Sequence, residues 1–230
     1  MAKVLIIAPE SDSPTAVTKL TADALERTLI AQDHNVKRIK TPFIERGVLE
    51  WWLKLHRGDK LLCYFGHGRP YQMTGYPPYM KIPGFTPLFA TDKTSVFKDC
   101  VVYACACWTG SDLGLAAEDD AIAYMGFTRP IMTFFNREDH KYLNDWIQMF
   151  NIFPMLVANG TNVGQSYAAF LRKCNDYISF YDSVALDLHQ PINKQLRDDG
   201  KFPNADYYLS RTISNRDAAI LFGDAEYVLK

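Results

Sequence analysis

Two residues carry types and surroundings that suit covalent chemistry: His67 within Tyr64-Phe65-Gly66-His67-Gly68, and Cys107 within Ala104-Cys105-Ala106-Cys107-Trp108-Thr109-Gly110. A thiol attacks only as its thiolate, and an imidazole within reach favours that form and can return the proton to a leaving group. Cys107 also precedes a predicted helix at Asp112 to Glu118, whose N-terminal amides favour negative charge. Gly66 and Gly68 around His67, and Gly110 after Cys107, would let backbone approach a substrate closely and aim amides at an oxyanion. The plainer reading is a hydrogen-bonded loop histidine and a small buried thiol. A third is a zinc site, since Cys63, His67, Cys105 and Cys107 are all acceptable ligands. Against it, neither Cys-x-Cys nor Cys-x3-His is a zinc-finger or ribbon spacing.

The elements that must position these residues follow from the hydrophobic pattern. Lys3 to Ala8, Lys60 to Phe65 and Asp99 to Cys105 are short, continuous apolar runs that read as fully buried strands. Between them, Pro14 to Ala31 and Phe43 to Leu55 show helical spacing, and Asn35 to Ile39 alternates like an edge strand. Strand, helix, strand, helix, strand predicts an α/β chain with a mostly parallel sheet covered on both faces. In such sheets the ligand site lies beyond the carboxyl ends of the strands, which is where the loops after Phe65 and Cys105 emerge. A segment rich in Pro, Gly and Tyr follows Gly68 and reads as a long loop whose aromatics, Tyr71, Tyr76, Tyr79 and Phe85, line a groove or pack as a lid. Ala121 to Phe127 is a further predicted strand, and Pro130 to Phe134 continues the strand pattern. The rest reads as mostly helical, at Lys141 to Leu156 and Asn162 to Ser183, with a polar connector around Leu196 to Ala205. Nothing resembles a repeat or a linker, so residues 1–230 are expected to form a single domain.

The two segments around His67 and Cys107, taken together, resemble the caspase-like cysteine peptidases, the group that includes caspases, gingipains, separases and CHAT domains. The shared pattern is an apolar strand ending in His-Gly, then a second apolar strand ending in a small residue and the nucleophilic Cys. Ala106-Cys107-Trp108-Thr109-Gly110 is most similar to the Ala-Cys-x-Thr-Gly of CHAT domains. Ala121 to Thr128 (AIAYMGFT) resembles the strand along which substrate peptide pairs, and Leu221-Phe222-Gly223-Asp224 resembles the Leu-x-Gly-Asp that closes gingipain-like domains. Asp224 is followed by Ala where that pattern prefers Pro.

The resemblance implies a three-layer α/β/α sandwich of caspase-like fold and a cysteine endopeptidase. It implies Cys107 as nucleophile, His67 as general acid, and the backbone amides of Gly68 and Cys107 as oxyanion donors. It also implies substrate contacts at Gly126, Phe127 and Thr128, and a preference for Lys or Arg before the scissile bond, for which Glu10 and Asp12 after the first strand offer carboxylates. Glu10 and Asp12 are equally suited to capping the following helix. No metal or organic cofactor is implied, and the partner is a protein or peptide substrate. Cys105 is the rival nucleophile, but it should still lie in its strand and lacks a Gly at the third position beyond it. A catalytically silent binding module of the same fold is the alternative function.

Composition narrows the remaining classes. The chain has 230 residues, 25 Lys+Arg against 26 Asp+Glu, a net charge of −1 and 48% hydrophobic residues. No basic stripe is present to neutralise a phosphate backbone, so nucleic acid is not the expected partner. No run approaches about 18 apolar residues, so no membrane partner is expected, and the opening apolar stretch is too short for a signal-peptide core. The sequence therefore reads as cytoplasmic. Five cysteines is an odd number, and Cys63, Cys100, Cys105 and Cys107 fall in or beside buried strands, where free thiols are common. The first strand is followed by Ala8-Pro9-Glu10-Ser11, without the glycines of a dinucleotide loop.

Overall fold

A strand that is apolar on both faces is stable only between two covering layers, and that requirement organises the chain. The structure is a computed structural model and describes residues 1–9, 13–39, 46–56, 58–75, 87–133, 140–189 and 205–230. Its strands are β1 (Lys3–Ile7), β2 (Asn35–Ile39), β3 (Lys60–Phe65), β4 (Gly68–Arg69), β5 (Gln72–Thr74), β6 (Pro87–Ala90), β7 (Cys100–Cys105), β8 (Ala123–Phe127) and β9 (Ala219–Gly223). Its helices are α1 (Ser13–Ala31), α2 (Arg46–Leu55), α3 (Asp112–Ala117), α4 (His140–Ala158), α5 (Val163–His189) and α6 (Ala205–Ala218), with a 3-10 segment over Thr91–Phe97.

Six strands form one sheet in the order β2-β1-β3-β7-β8-β9. All neighbours are parallel except β8 and β9, so the architecture is α/β with a mixed, mostly parallel central sheet. Alternation along each strand sends side chains to two cores. Leu61, Cys63, Phe65, Val101, Tyr103 and Cys105 face one side, where α1, α4, α5 and α6 cover them. Leu62, Tyr64, Val102 and Ala104 face the other, beneath α2, the 3-10 segment and α3. Helices on both faces make the arrangement compatible with a three-layer sandwich. Among the described residues, no helix is long and apolar enough to cross a membrane.

One helix carries a flaw that the sheet repairs. Pro154 lies inside α4 and has no N–H to give the carbonyl of Phe150, one turn earlier. The buried hydroxyl of Tyr103, on β7, donates to that carbonyl at 2.7 Å. An interior proline and a fully buried tyrosine thus satisfy each other, and they fix α4 in register against the central strand.

Several expectations are corrected here. The segment after Gly68 is not all loop, because β4, β5 and β6 form a small antiparallel sheet from it; residues 76–86 lie outside the described residues. Ile131–Thr133 does not continue the strand pattern. Pro130 cannot donate to a ladder, and α6 takes the next peptide groups instead: Asn215 accepts from Met132 N at 2.8 Å and donates to Met132 O at 3.0 Å, and Arg211 donates to Thr133 O at 2.8 Å. The predicted helix from Phe43 begins at Arg46 among the described residues, and α5 runs on to His189. Helix α6 follows directly where the polar connector was expected to end.

Candidate active site

His67 and Cys107 are delivered by neighbouring strands held in register. Phe65 pairs with Cys105, and Gly66 N extends the pairing by donating to Cys105 O at 3.4 Å. His67 and Cys107 each lie two residues beyond the Phe65 and Cys105 pair, at the carboxyl edge of the sheet. Neighbouring strands run about 4.8 Å apart, so the two loops leave the sheet side by side.

The His67 loop is held through its backbone. Thr74 N donates to His67 O at 3.1 Å, and the Thr74 hydroxyl reaches the same carbonyl at 3.2 Å. The Tyr64 hydroxyl lies 2.7 Å from His67 O and 2.6 Å from Thr74 O. Burial pushes the Tyr64 phenol up, which keeps it a neutral donor. Gly66 is required for this, because a Cβ there would stand 2.6 Å from the Tyr64 hydroxyl.

Antiparallel pairing then sets the direction of the Gly68 amide. His67 and Thr74 form a hydrogen-bonded pair, so Gly68, opposite Met73, is at the alternate position and its N–H points away from β5. A Cβ on Gly68 would collide with the Cys107 carbonyl and stand 2.6 Å from Thr109 Cγ2. The structure therefore packs Gly68 against the Cys107 carbonyl, bringing together the two residues whose amides the resemblance implies as oxyanion donors.

The turn after Cys107 is tightly tied. Trp108 has φ of 63°, a conformation costly for a bulky residue, and sequence alone gave no signal for it. Its N–H donates to Arg129 O at 3.2 Å, and Gly110 N donates to Phe127 O at 2.9 Å. The buried Thr109 hydroxyl reaches Ala106 O at 2.9 Å, while Tyr124 donates to Thr109 O at 3.0 Å. The room that Gly110 provides is used by the protein itself: a Cβ would meet Ile220 Cγ2 at 2.6 Å and Phe127 N at 2.8 Å.

The thiols differ sharply in environment. Cys105 is fully buried in the core and its thiol is pushed far up by burial. Cys107 is half-buried, and Ile131 N donates to its sulfur at 3.3 Å. Burial pushes the Cys107 thiol up, and the Ile131 amide opposes that rise only in part. This differs from the expected depression by the next helix. That helix, α3, has only six residues, begins at Asp112, and carries an acid in its first turn. The contact of the Ile131 amide with the Cys107 sulfur escaped sequence reasoning, because it depends on how α6 holds the segment after β8.

The remaining candidates are placed as follows. Gly126 and Phe127 lie in β8, paired with Ile220 and Ala219 of β9, and Thr128 donates through its N–H to Ala218 O at 2.7 Å. On the other edge Gly110 N donates to Phe127 O, and beyond Thr128 the carbonyls of Arg129, Met132 and Thr133 are engaged by Trp108, Asn215 and Arg211. Glu10 and Asp12 lie outside the described residues, as do Tyr76, Tyr79 and Phe85; Tyr71 is exposed. Leu221-Phe222-Gly223-Asp224 spans the end of β9, where Asp224 N donates to Ile122 O at 2.9 Å, at the opposite end of β8 from Thr128. Among the described residues, no three His, Cys, Asp or Glu side chains are grouped to hold a metal ion. No protein-family model, curated protein or solved structure matches the chain.

Proposed function

We propose that the chain is a cysteine endopeptidase of caspase-like fold, acting in the cytoplasm through Cys107 and His67. The observation that carries the proposal is the register of β3 and β7, which sets His67 and Cys107 at equal distance beyond paired residues, with Gly68 packed on the Cys107 backbone. In the proposed reaction the Cys107 sulfur attacks the scissile carbonyl and its proton passes to His67. The oxyanion that forms is met by the amides of Gly68 and Cys107. Collapse to a thioester expels the amine, which takes the proton from His67, and water then hydrolyses the thioester and restores the thiol. Preference for Lys or Arg rests on the family resemblance and on Glu10 and Asp12.

The raised thiol and its contact with Ile131 favour one second reading, a silent protein-binding module of the same fold. Turnover separates the two. Incubation with a denatured protein substrate, read by mass spectrometry of the products, is expected to show cleavage that falls roughly 10³-fold or more in Cys107→Ala and in His67→Ala. Cleavage that persists in Cys107→Ala would falsify the assignment, and no cleavage by the unsubstituted chain would support the silent module.

A further inference from the structure

At the amino end of the central strands, opposite the Cys107 edge, a cavity of about 540 Å³ opens between α2 and the 3-10 segment. Lys60, the first residue of β3, lines it from the sheet face that α2 covers. Arg46 and Lys54 line it from α2, and Lys93 and Lys98 line it from the 3-10 segment and its exit. Five cationic side chains thus meet two carboxylates, Glu50 and Asp99, in a chain whose net charge is −1. Glu50 is already committed to Arg46, 2.6 Å away. Among the described residues, none of the four lysines has a carboxylate oxygen within 4 Å, although Arg46, joined by Lys54 and Lys93, holds the Glu50 carboxyl below its ordinary value.

Lys60 is the decisive member. It is 2% exposed, and a buried ammonium is costly unless nearby anions offset it; the cavity offers Asp99 and a Glu50 already bonded to Arg46. We infer that this cavity binds a small polyanion bearing two or more phosphate groups, seated on Lys60 and clamped by Lys54, Lys93 and Lys98. Its size falls in the range of small-molecule sites, roughly 300–1,000 Å³. The inference is independent of the Cys107 chemistry.

Calorimetric titration of the full chain with sodium tripolyphosphate, in buffered salt, tests it. Saturable binding near one per chain is expected, weakened about tenfold or more in the exposed pair of substitutions Lys93→Ala and Lys98→Ala, and lost in Lys60→Met. Cys107→Ser is expected to bind as the unsubstituted chain does. If Lys60→Met fails to fold by circular dichroism, the exposed pair decides the question alone. Absence of saturable binding, equal affinity in the exposed pair, or loss of binding in Cys107→Ser would overturn the inference.

Discussion

Gly68 is the residue at which backbone geometry and proposed chemistry meet. Its N–H leaves the hairpin on the side away from β5, and its missing Cβ lets the His67 loop rest on the Cys107 carbonyl and Thr109. Gly68→Ala is expected to displace that loop while leaving the two cores intact. Loss of an oxyanion donor costs about 10²–10³ in kcat, so a fall of that order in peptide cleavage, with an unchanged circular dichroism spectrum, is the outcome to look for. Equal activity in Gly68→Ala would show that the close seat of this loop on Cys107 is not needed for cleavage. The placement of His67 and Cys107 just beyond neighbouring strand ends was legible in the sequence, because the apolar runs that end before them mark two buried strands. The left-handed Trp108 and the Ile131 amide were not, since both arise from contacts made by segments distant in the chain.

At the scale of elements, Tyr103 and Pro154 form a testable pair. Tyr103→Phe leaves the Phe150 carbonyl buried without its donor, a loss of about 1–3 kcal/mol. In a Pro154→Ala background the helix can supply that donor from residue 154, so the same substitution should cost less. Urea unfolding of the four chains in this double-mutant cycle measures the coupling, and strict additivity would contradict the mutual repair described above. The strands β1, β3 and β7 were legible because strands covered on both faces must be apolar throughout. The small sheet of β4, β5 and β6 was not, because strands of two to four residues are too short for periodicity to register. The reversal of β9 was hidden for another reason: the direction of a strand beside β8 is set by the helices that precede it.

For the whole molecule, the buried thiols tie stability to pH. Burial pushes Cys100 and Cys174 up to about 12, and raises Cys63 and Cys105 as well. Unfolded thiols lose their protons at lower pH than these folded ones, so between the two values the folded state binds more protons and stability falls as pH rises. The contribution is full below the ordinary thiol value of 9.0 and is lost progressively toward about 12. One unit above the ordinary value, each buried thiol accounts for about 1.4 kcal/mol. Urea midpoints under reducing conditions should therefore fall between pH 8 and pH 10, and should fall less in Cys174→Ala. A flat midpoint over that interval would contradict the burial of these groups.

The central claim is that one thiol at the carboxyl edge of the sheet is served by His67. It is tested most directly by treating the native chain with iodoacetamide and, separately, with a lysine- or arginine-directed acyloxymethyl ketone, locating the adducts by mass spectrometry. The expected result is ketone modification at Cys107 in preference to Cys63, Cys100, Cys105 and Cys174, and its loss in His67→Ala. Labelling of Cys107 by iodoacetamide alone would keep the thiol and dispose of the basic preference. Labelling by neither reagent in preference to the other four cysteines would contradict the account.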